Sequence, residues 1–307
     1  MICYHVYHVN PKKPPGTFEL ITQLYSVITH KLVNSQHPIH FITDSESLKF
    51  FQQFGIEQLY DEVNTDILDS YPADAISTKY WATPKLWAMH HLTAPFVVYD
   101  TDIILHTELE MQADVLYLHR ESSTQYPTPT TIHTGPGWGW NYQLINAFKD
   151  SLPFNCAVVG FNNESFKQTY INSYFDWVLG SSGEYEASSN QKMFLAESGS
   201  QIVAEQWLLA ALVQQHQVTA RSLAPVIYGV SRFMTDFSMN PDINVTSLLD
   251  ATMYHLWGAK QYQNDPDSKL HQITKENLKI AAVILDTELH HNIYHAIIEK
   301  TYSYGWN

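Results

Sequence analysis

Apolar residues recur with two different periods along the first hundred positions of the chain. Ile2 to Tyr7 reads as a strand, and a Pro- and Lys-rich loop follows from Asn10 to Gly16. From Thr17 to Val33 the residues Leu20, Ile21, Leu24, Tyr25, Ile28 and Leu32 fall at helical spacing. Pro38 to Thr43 is a second strand that ends at Asp44, Ser45 to Phe54 a short helix, and Gln58 to Tyr60 a third strand. Thr83-Pro84 looks like an N-cap followed by proline at the first helical position, opening a helix to about Leu92. Pro95 to Tyr99 is a wholly apolar or aromatic run that reads as a buried strand. Such alternation predicts an α/β chain with a mainly parallel sheet covered by helices on both faces.

The second half is less regular. Val115 to His119 and Phe154 to Asn162 read as strands, as do Pro225 to Val230 and Thr252 to Trp257. Helical patterns cover about 164–179 and 203–216, and an amphipathic one runs from Thr274 to Lys300. A long loop over 121–142 carries Trp138 and Trp140, and loops of that length usually either serve a function or are disordered. No internal repeat or clear linker appears. The reading is therefore one continuous body over 1–262, with a C-terminal helical segment over 263–307 packed on it.

Chemistry enters at Asp100-Thr101-Asp102. Sixteen Asp in 307 residues make one Asp-x-Asp by chance roughly 0.8 times, and a second copy, Asp265-Pro266-Asp267, sits in a polar loop. The setting separates the first copy, which follows the run Pro95–Tyr99 and precedes three aliphatic residues, Ile103 to Leu105. Carboxylates that interrupt such a run are seldom there without partners. At the carboxyl end of a strand in an open sheet, where ligands collect, they suit Mg²⁺ or Mn²⁺. The alternative is a pair of strand-end acids capping a turn.

Charge narrows the possible partners. With 17 Lys and Arg against 31 acids, the formal charge of −14 argues against a nucleic-acid-binding face. An anionic substrate would need a metal and a few aimed cations. Cys3 and Cys156, both in apolar segments, are expected as buried reduced thiols. Met1 leads straight into a strand, without the charged and apolar regions of a signal peptide. No run reaches the length of a membrane span. These features predict a cytoplasmic protein, with peripheral membrane association left open and oligomeric state unread.

The second cluster is Tyr254-His255-Leu256-Trp257-Gly258-Ala259-Lys260. Here His255 ends an apolar run, Gly258 allows backbone to approach a phosphate, and Lys260 supplies a cation. Imidazole is a competent Mn²⁺ ligand, while a structural histidine is the plainer alternative.

Together these residues resemble the GT-A glycosyltransferases, in particular the family 8-like enzymes with an Asp-x-Asp motif. Trp81–Met89 with Lys85, Pro95–Leu105, Asn155–Gly160, Glu205-Gln206 and His255-x-x-Gly258-x-Lys260 match in order, over about residues 1–262. Lys260 stands one residue nearer Gly258 than in the family pattern, and Ala157 replaces a glycine. The resemblance implies a GT-A-like, Rossmann-like mixed sheet. It implies transfer of a sugar from a nucleotide-diphosphate donor, first of all a UDP-sugar, to a hydroxyl of a carbohydrate, lipid-linked or protein acceptor.

By residue, the resemblance makes Asp102 a ligand of Mn²⁺ or Mg²⁺, Asp100 a ligand of the metal or of the donor ribose, and His255 the third ligand. Thr101 and Gly258 would line the nucleotide, with Lys260 near the β-phosphate and Lys85 approaching the phosphates; an exposed helix lysine is the alternative for Lys85. Asn155 would hydrogen-bond sugar hydroxyls or else satisfy strand-end backbone. Glu205 would orient an acceptor hydroxyl, act as base, or merely favour a helix N-terminus. The Trp138 and Trp140 loop would close over the sugar or pack on the body. Two other readings of the whole remain: a catalytically silent carbohydrate-binding or scaffolding relative, and a nucleotidyltransferase. No nucleophile elbow, P-loop, Gly-x-Gly-x-x-Gly or Cys-x-x-Cys supports other chemistry.

Overall fold

A computed structural model describes residues 1–9, 14–73, 76, 80–105, 107–121, 143–145, 147, 152–180, 201–223, 253–255 and 287–303. The chain is α/β, with a seven-stranded, mostly parallel mixed sheet and helices between the strands. It divides into two compact units built from interleaved stretches. The first holds Met1–Asp69, Tyr99–Glu110 and Val230–Asn307, and the second Ser70–Val98 and Met111–Gly229.

In the first unit β1 (Ile2–Val6), β2 (Ile39–Ile42) and β3 (Glu62–Asn64) lie side by side in the order β3-β2-β1, all parallel. Helix α1 (Thr17–Val33) starts where the Glu19 side chain accepts the backbone N–H of Gly16 at 2.8 Å. It buries Leu20, Ile21, Leu24, Tyr25 and Ile28 as its spacing predicts, with Val27 beside them. Leu32 is 58 % exposed; twelve residues past Leu20, the helical period has carried it about 120° round the axis. Helix α2 (Ser45–Gln52) is capped by Asp44, whose carboxylate accepts the N–H groups of Glu46 and Ser47 at 3.0 and 2.8 Å. Asp44 thus serves the helix, as strand-end acids before Ser often do.

The third strand is not where the pattern placed it. Ile56–Leu59 forms a 3₁₀ turn after Gly55, whose φ of 76° is the left-handed region that glycine enters freely. The strand begins only at Glu62, once Asp61 has joined Ile39 through its N–H. After a four-residue helix α3 (Asp66–Asp69), the unit resumes with β5 (Ile103–Leu105), which pairs antiparallel with β9 (Met253–His255). Helix α7 (Glu288–Ser303) packs on α1, burying Ile293 and Ile297 and setting Lys300 over the Phe54 ring. Only the last part of the helical pattern over 274–300 falls among the described residues, and the 262/263 boundary lies outside them. Cys3 is buried and free, and desolvation pushes its thiol up to about 12.

The second unit orders its strands β4-β7-β6-β8: β4 (Phe96–Tyr99, whose last residue belongs to the first unit), β7 (Val158–Phe161), β6 (Val115–Tyr117) and β8 (Ala220–Ser222). β6 runs antiparallel to β7 and parallel to β8. Helix α4 (Thr83–His91) is capped at Ala82 rather than Thr83. The Thr83 hydroxyl donates instead to the Tyr80 carbonyl at 2.6 Å and meets the Tyr174 hydroxyl at 2.8 Å. Pro84 still falls in the first turn, where its missing N–H costs nothing. Helices α5 (Glu164–Gly180) and α6 (Leu208–His216) follow the sequence pattern, and a π-helical turn over Val203–Trp207 leads into α6. The strand expected at Pro225–Val230 lies outside the described residues.

Gly160, in β7, is a close-packing position. A Cβ there would stand 2.5 Å from Met111 Cε, 2.8 Å from Val97 Cγ2 and 3.1 Å from the Phe96 carbonyl. Gly160→Ala is expected to lower stability by about 1–3 kcal/mol. Urea unfolding should show the midpoint falling at unchanged slope; an unchanged midpoint would contradict that packing.

Candidate active site

Between β4 and β5, within the first unit, the chain makes a tight turn at Asp100-Thr101-Asp102, closed by the Ile103 N–H on the Asp100 carbonyl at 3.0 Å. Asp100 is partly exposed, while Asp102 is 3 % exposed. The β5–β9 register sets His255 directly opposite Ile103, the residue after Asp102. Opposed Cα atoms of an antiparallel pair lie about 4.5–5.5 Å apart. Backbone pairing thus brings the acidic turn and the distant histidine position together across 153 residues of sequence.

The donor set is that of a hard divalent cation: two carboxylates on one short turn with an imidazole-bearing residue beside it. By residue type the carboxylates are donors that either Mn²⁺ or Mg²⁺ accepts, and the imidazole one that Mn²⁺ accepts. Among the described residues no three His, Cys, Asp or Glu side chains gather as a metal cluster; β9 is described by its backbone alone. Gly258, Lys260, Trp138 and Trp140 lie outside the described residues.

The polar surroundings of the turn were not legible as a motif. His5, on β1, is fully buried, with Nδ1 2.8 Å from the Tyr60 hydroxyl and Nε2 3.2 Å from Ser26 Oγ. Desolvation, and then the nearby His30, hold its imidazole well below the ordinary range, against a smaller pull from Asp102. The ring of Tyr99 meets His5 edge-on at 4.4 Å and stacks on His30 at 5.8 Å. A hint existed in α1, where Gln23, Ser26 and His30 put polar groups among the core positions.

The second unit holds Lys85, Asn155 and Glu205. The Lys85 ammonium stands 3.0 Å from Glu205 Oε1, close enough for an ion pair although outside hydrogen-bond alignment, and it donates to the Cys156 carbonyl at 2.8 Å. Glu205 Oε2 accepts from Gln201 at 3.1 Å, and the Tyr174 hydroxyl donates to Gln201 at 3.2 Å. Lys85 is 8 % and Glu205 1 % exposed; the alternative of an exposed helix lysine does not hold, whereas Glu205 does stand in the first turn of the π-helical segment, as its helix-start alternative has it. The ammonium expected near donor phosphates points instead to a carboxylate and a carbonyl. Asn155 donates from Nδ2 to Glu121 at 2.5 Å and accepts the Ala157 N–H at 2.9 Å. The Gln206 amide oxygen is buried without a hydrogen-bond partner among the described residues.

Among the described residues no helix is long and apolar enough to cross a membrane. Residues 17–277 match the model of a family described as a family of unknown function, DUF6734. No curated protein matches the chain. Among solved structures, the apo form of mouse xyloside xylosyltransferase 1 is similar at 11% identity, over 82% of this chain and 96% of that one, with a TM-score of 0.44. The glycosyltransferase GlyE of Streptococcus pneumoniae TIGR4 is similar at 12% identity, over 92% of this chain and 62% of that one, with a TM-score of 0.46. A galactosyltransferase, LgtC, in complex with donor and acceptor sugar analogues, is similar at 11% identity, over 90% of this chain and 96% of that one, with a TM-score of 0.39. The three are glycosyltransferases; scores below 0.5 carry no function from them to this chain.

Proposed function

This chain belongs to the DUF6734 family, and we propose that it is a metal-dependent glycosyltransferase. It would move a sugar from a nucleotide diphosphate, UDP in the first instance, to an acceptor hydroxyl. The observation that carries this reading is the pairing of His255 opposite Ile103, beside the Asp100–Asp102 turn. Two sequence motifs with no other reason to meet are neighbours in the fold.

In this reading Asp102 and Asp100 hold Mn²⁺ or Mg²⁺, and His255 completes the protein ligands. The bound ion would supply Lewis-acid stabilisation of charge on the departing diphosphate. Thr101 and Gly258 offer backbone to the nucleotide, and Lys260 is the cation assigned to the β-phosphate, since Lys85 is engaged elsewhere. Asn155 is assigned to sugar hydroxyls. Glu205 fits the orienting role better than that of base, because a carboxylate already held by an ammonium and an amide is a weak proton acceptor. That same closure favours, as second reading, a relative that binds the donor without turning it over.

Calorimetry with UDP decides the first point: binding is expected with Mn²⁺ present and not after chelation. Equal UDP binding with and without the ion, or none in either case, would overturn the proposal. Slow Mn²⁺-dependent hydrolysis of a UDP-sugar then separates the enzyme from the silent binder.

A further inference from the structure

Helix α1 buries Gln23, Ser26 and His30 on one side, at offsets of three and four residues. Buried polar groups need partners; His30 meets the His37 carbonyl at 2.8 Å, while Gln23 and Ser26 belong to a single directional chain. The Ser26 hydroxyl has one proton, and it is donated to the Ile103 carbonyl. Toward His5 the same oxygen can therefore only accept, which puts the ring proton on Nε2. The imidazole is neutral, so Nδ1 is bare and accepts from the Tyr60 hydroxyl at 2.8 Å. Tyr60 in turn accepts from the Gln23 amide at 2.8 Å. One tautomer satisfies every member from Gln23 to Ile103.

The far end of this chain lands on the acidic turn. Ile103 closes that turn with its N–H and is held through its carbonyl by Ser26, so both of its backbone polar groups are engaged. On the other flank, Tyr99 immediately precedes Asp100, and its ring packs against the His5 edge. His5 thus grips the residue before Asp100 directly and the residue after Asp102 through one hydroxyl. Asp102 itself belongs to no group that sequence spacing would connect with position 5 or 26.

We propose that His5 and Ser26 are positioning residues for the divalent cation: they fix the backbone on both sides of Asp100-Thr101-Asp102 so that the two carboxylates meet the ion in one geometry. The inference rests on the glycosyltransferase reading and deepens it by naming what preorganises the metal turn. Groups that orient metal ligands without touching the ion typically account for 10–100-fold in affinity, which sets the size of the effect.

Titration calorimetry with Mn²⁺ alone tests it on wild type, Ser26→Ala, Ser26→Thr and Asp102→Ala. Ser26→Ala should weaken Mn²⁺ binding about 10–100-fold, and Ser26→Thr, which keeps the hydroxyl, should stay close to wild type. A loss of packing alone would not be rescued by a larger side chain. Tyr60→Phe keeps its ring and loses the hydroxyl that donates to His5 Nδ1 and accepts from Gln23, so a milder weakening in the same direction is expected. It also answers the question if Ser26→Ala does not fold. Unchanged affinity in Ser26→Ala, or in Tyr60→Phe where that variant decides, with binding lost in Asp102→Ala, overturns this inference and leaves the metal site standing. No Mn²⁺ binding by wild type overturns both.

Discussion

Asp102→Ala is expected to abolish Mn²⁺-dependent turnover of a UDP-sugar. Metal stabilisation of a departing diphosphate is worth several kcal/mol. At tenfold per 1.36 kcal/mol, losing a direct ligand should lower kcat/KM on the order of 10³-fold. Asp102→Asn sharpens the result, because it keeps shape and volume while removing the charge. If charge on the metal is what matters, the two variants fall together; if Asp102 only fills space in the turn, Asn retains most activity. Melting without metal serves as the control, since Asp102 is 97 % withdrawn from solvent and its loss can be felt in packing. Activity in Asp102→Ala near the wild-type level would leave the acidic turn a structural cap and remove the basis of the functional reading.

The alternation of periods along the first hundred residues carried most of the fold. Helix α1 begins and ends where the apolar spacing says it does, because a stripe of six such positions leaves little freedom in register. The third strand was misplaced because Gln58-Leu59-Tyr60 carries β-forming residues but stands on a 3₁₀ turn. The φ of Gly55 and the late pairing of Asp61 decide its geometry, and neither is a local preference. Thr83 illustrates the same limit: a good capping residue donates its hydroxyl to the Tyr80 carbonyl and meets Tyr174, 91 positions away.

At the site, the two motifs could be read singly while their meeting could not. The apolar run around them marked Asp100 and Asp102, and a late turn marked His255, but only the β5–β9 register makes them neighbours. His5 and Ser26 carried no motif at all. A lone histidine in a strand and a serine on a helix are common, and what distinguishes them here is a tautomer-specific chain with partners at positions 23, 60 and 103. The environment of Lys85 and Glu205 was misjudged, because both are enclosed rather than open to a donor. Nothing local in Thr83-Pro84-Lys85 tells that its ammonium will be enclosed with a carboxylate 120 residues on.

That enclosure makes Lys85 a sensitive position outside the apolar core. Lys85→Ala removes the ammonium that stands 3.0 Å from the buried Glu205 carboxylate, and with it the donor to the Cys156 carbonyl. Breaking one side of a buried pair typically costs about 3–5 kcal/mol, a large share of the roughly 5–15 kcal/mol that holds a domain folded. The urea midpoint should fall accordingly, and lowering the pH should recover part of the loss, because a buried carboxylate that has lost its cation relieves the cost by taking a proton. Replacing both partners, Lys85→Met with Glu205→Leu, removes the two charges at similar volume and should restore much of the stability, as buried pairs exchanged for apolar ones often do. The cycle of single and double variants then gives the coupling directly. Additive losses in the double variant would mean that the two groups do not depend on each other, and that the 3.0 Å approach is no ion pair in solution.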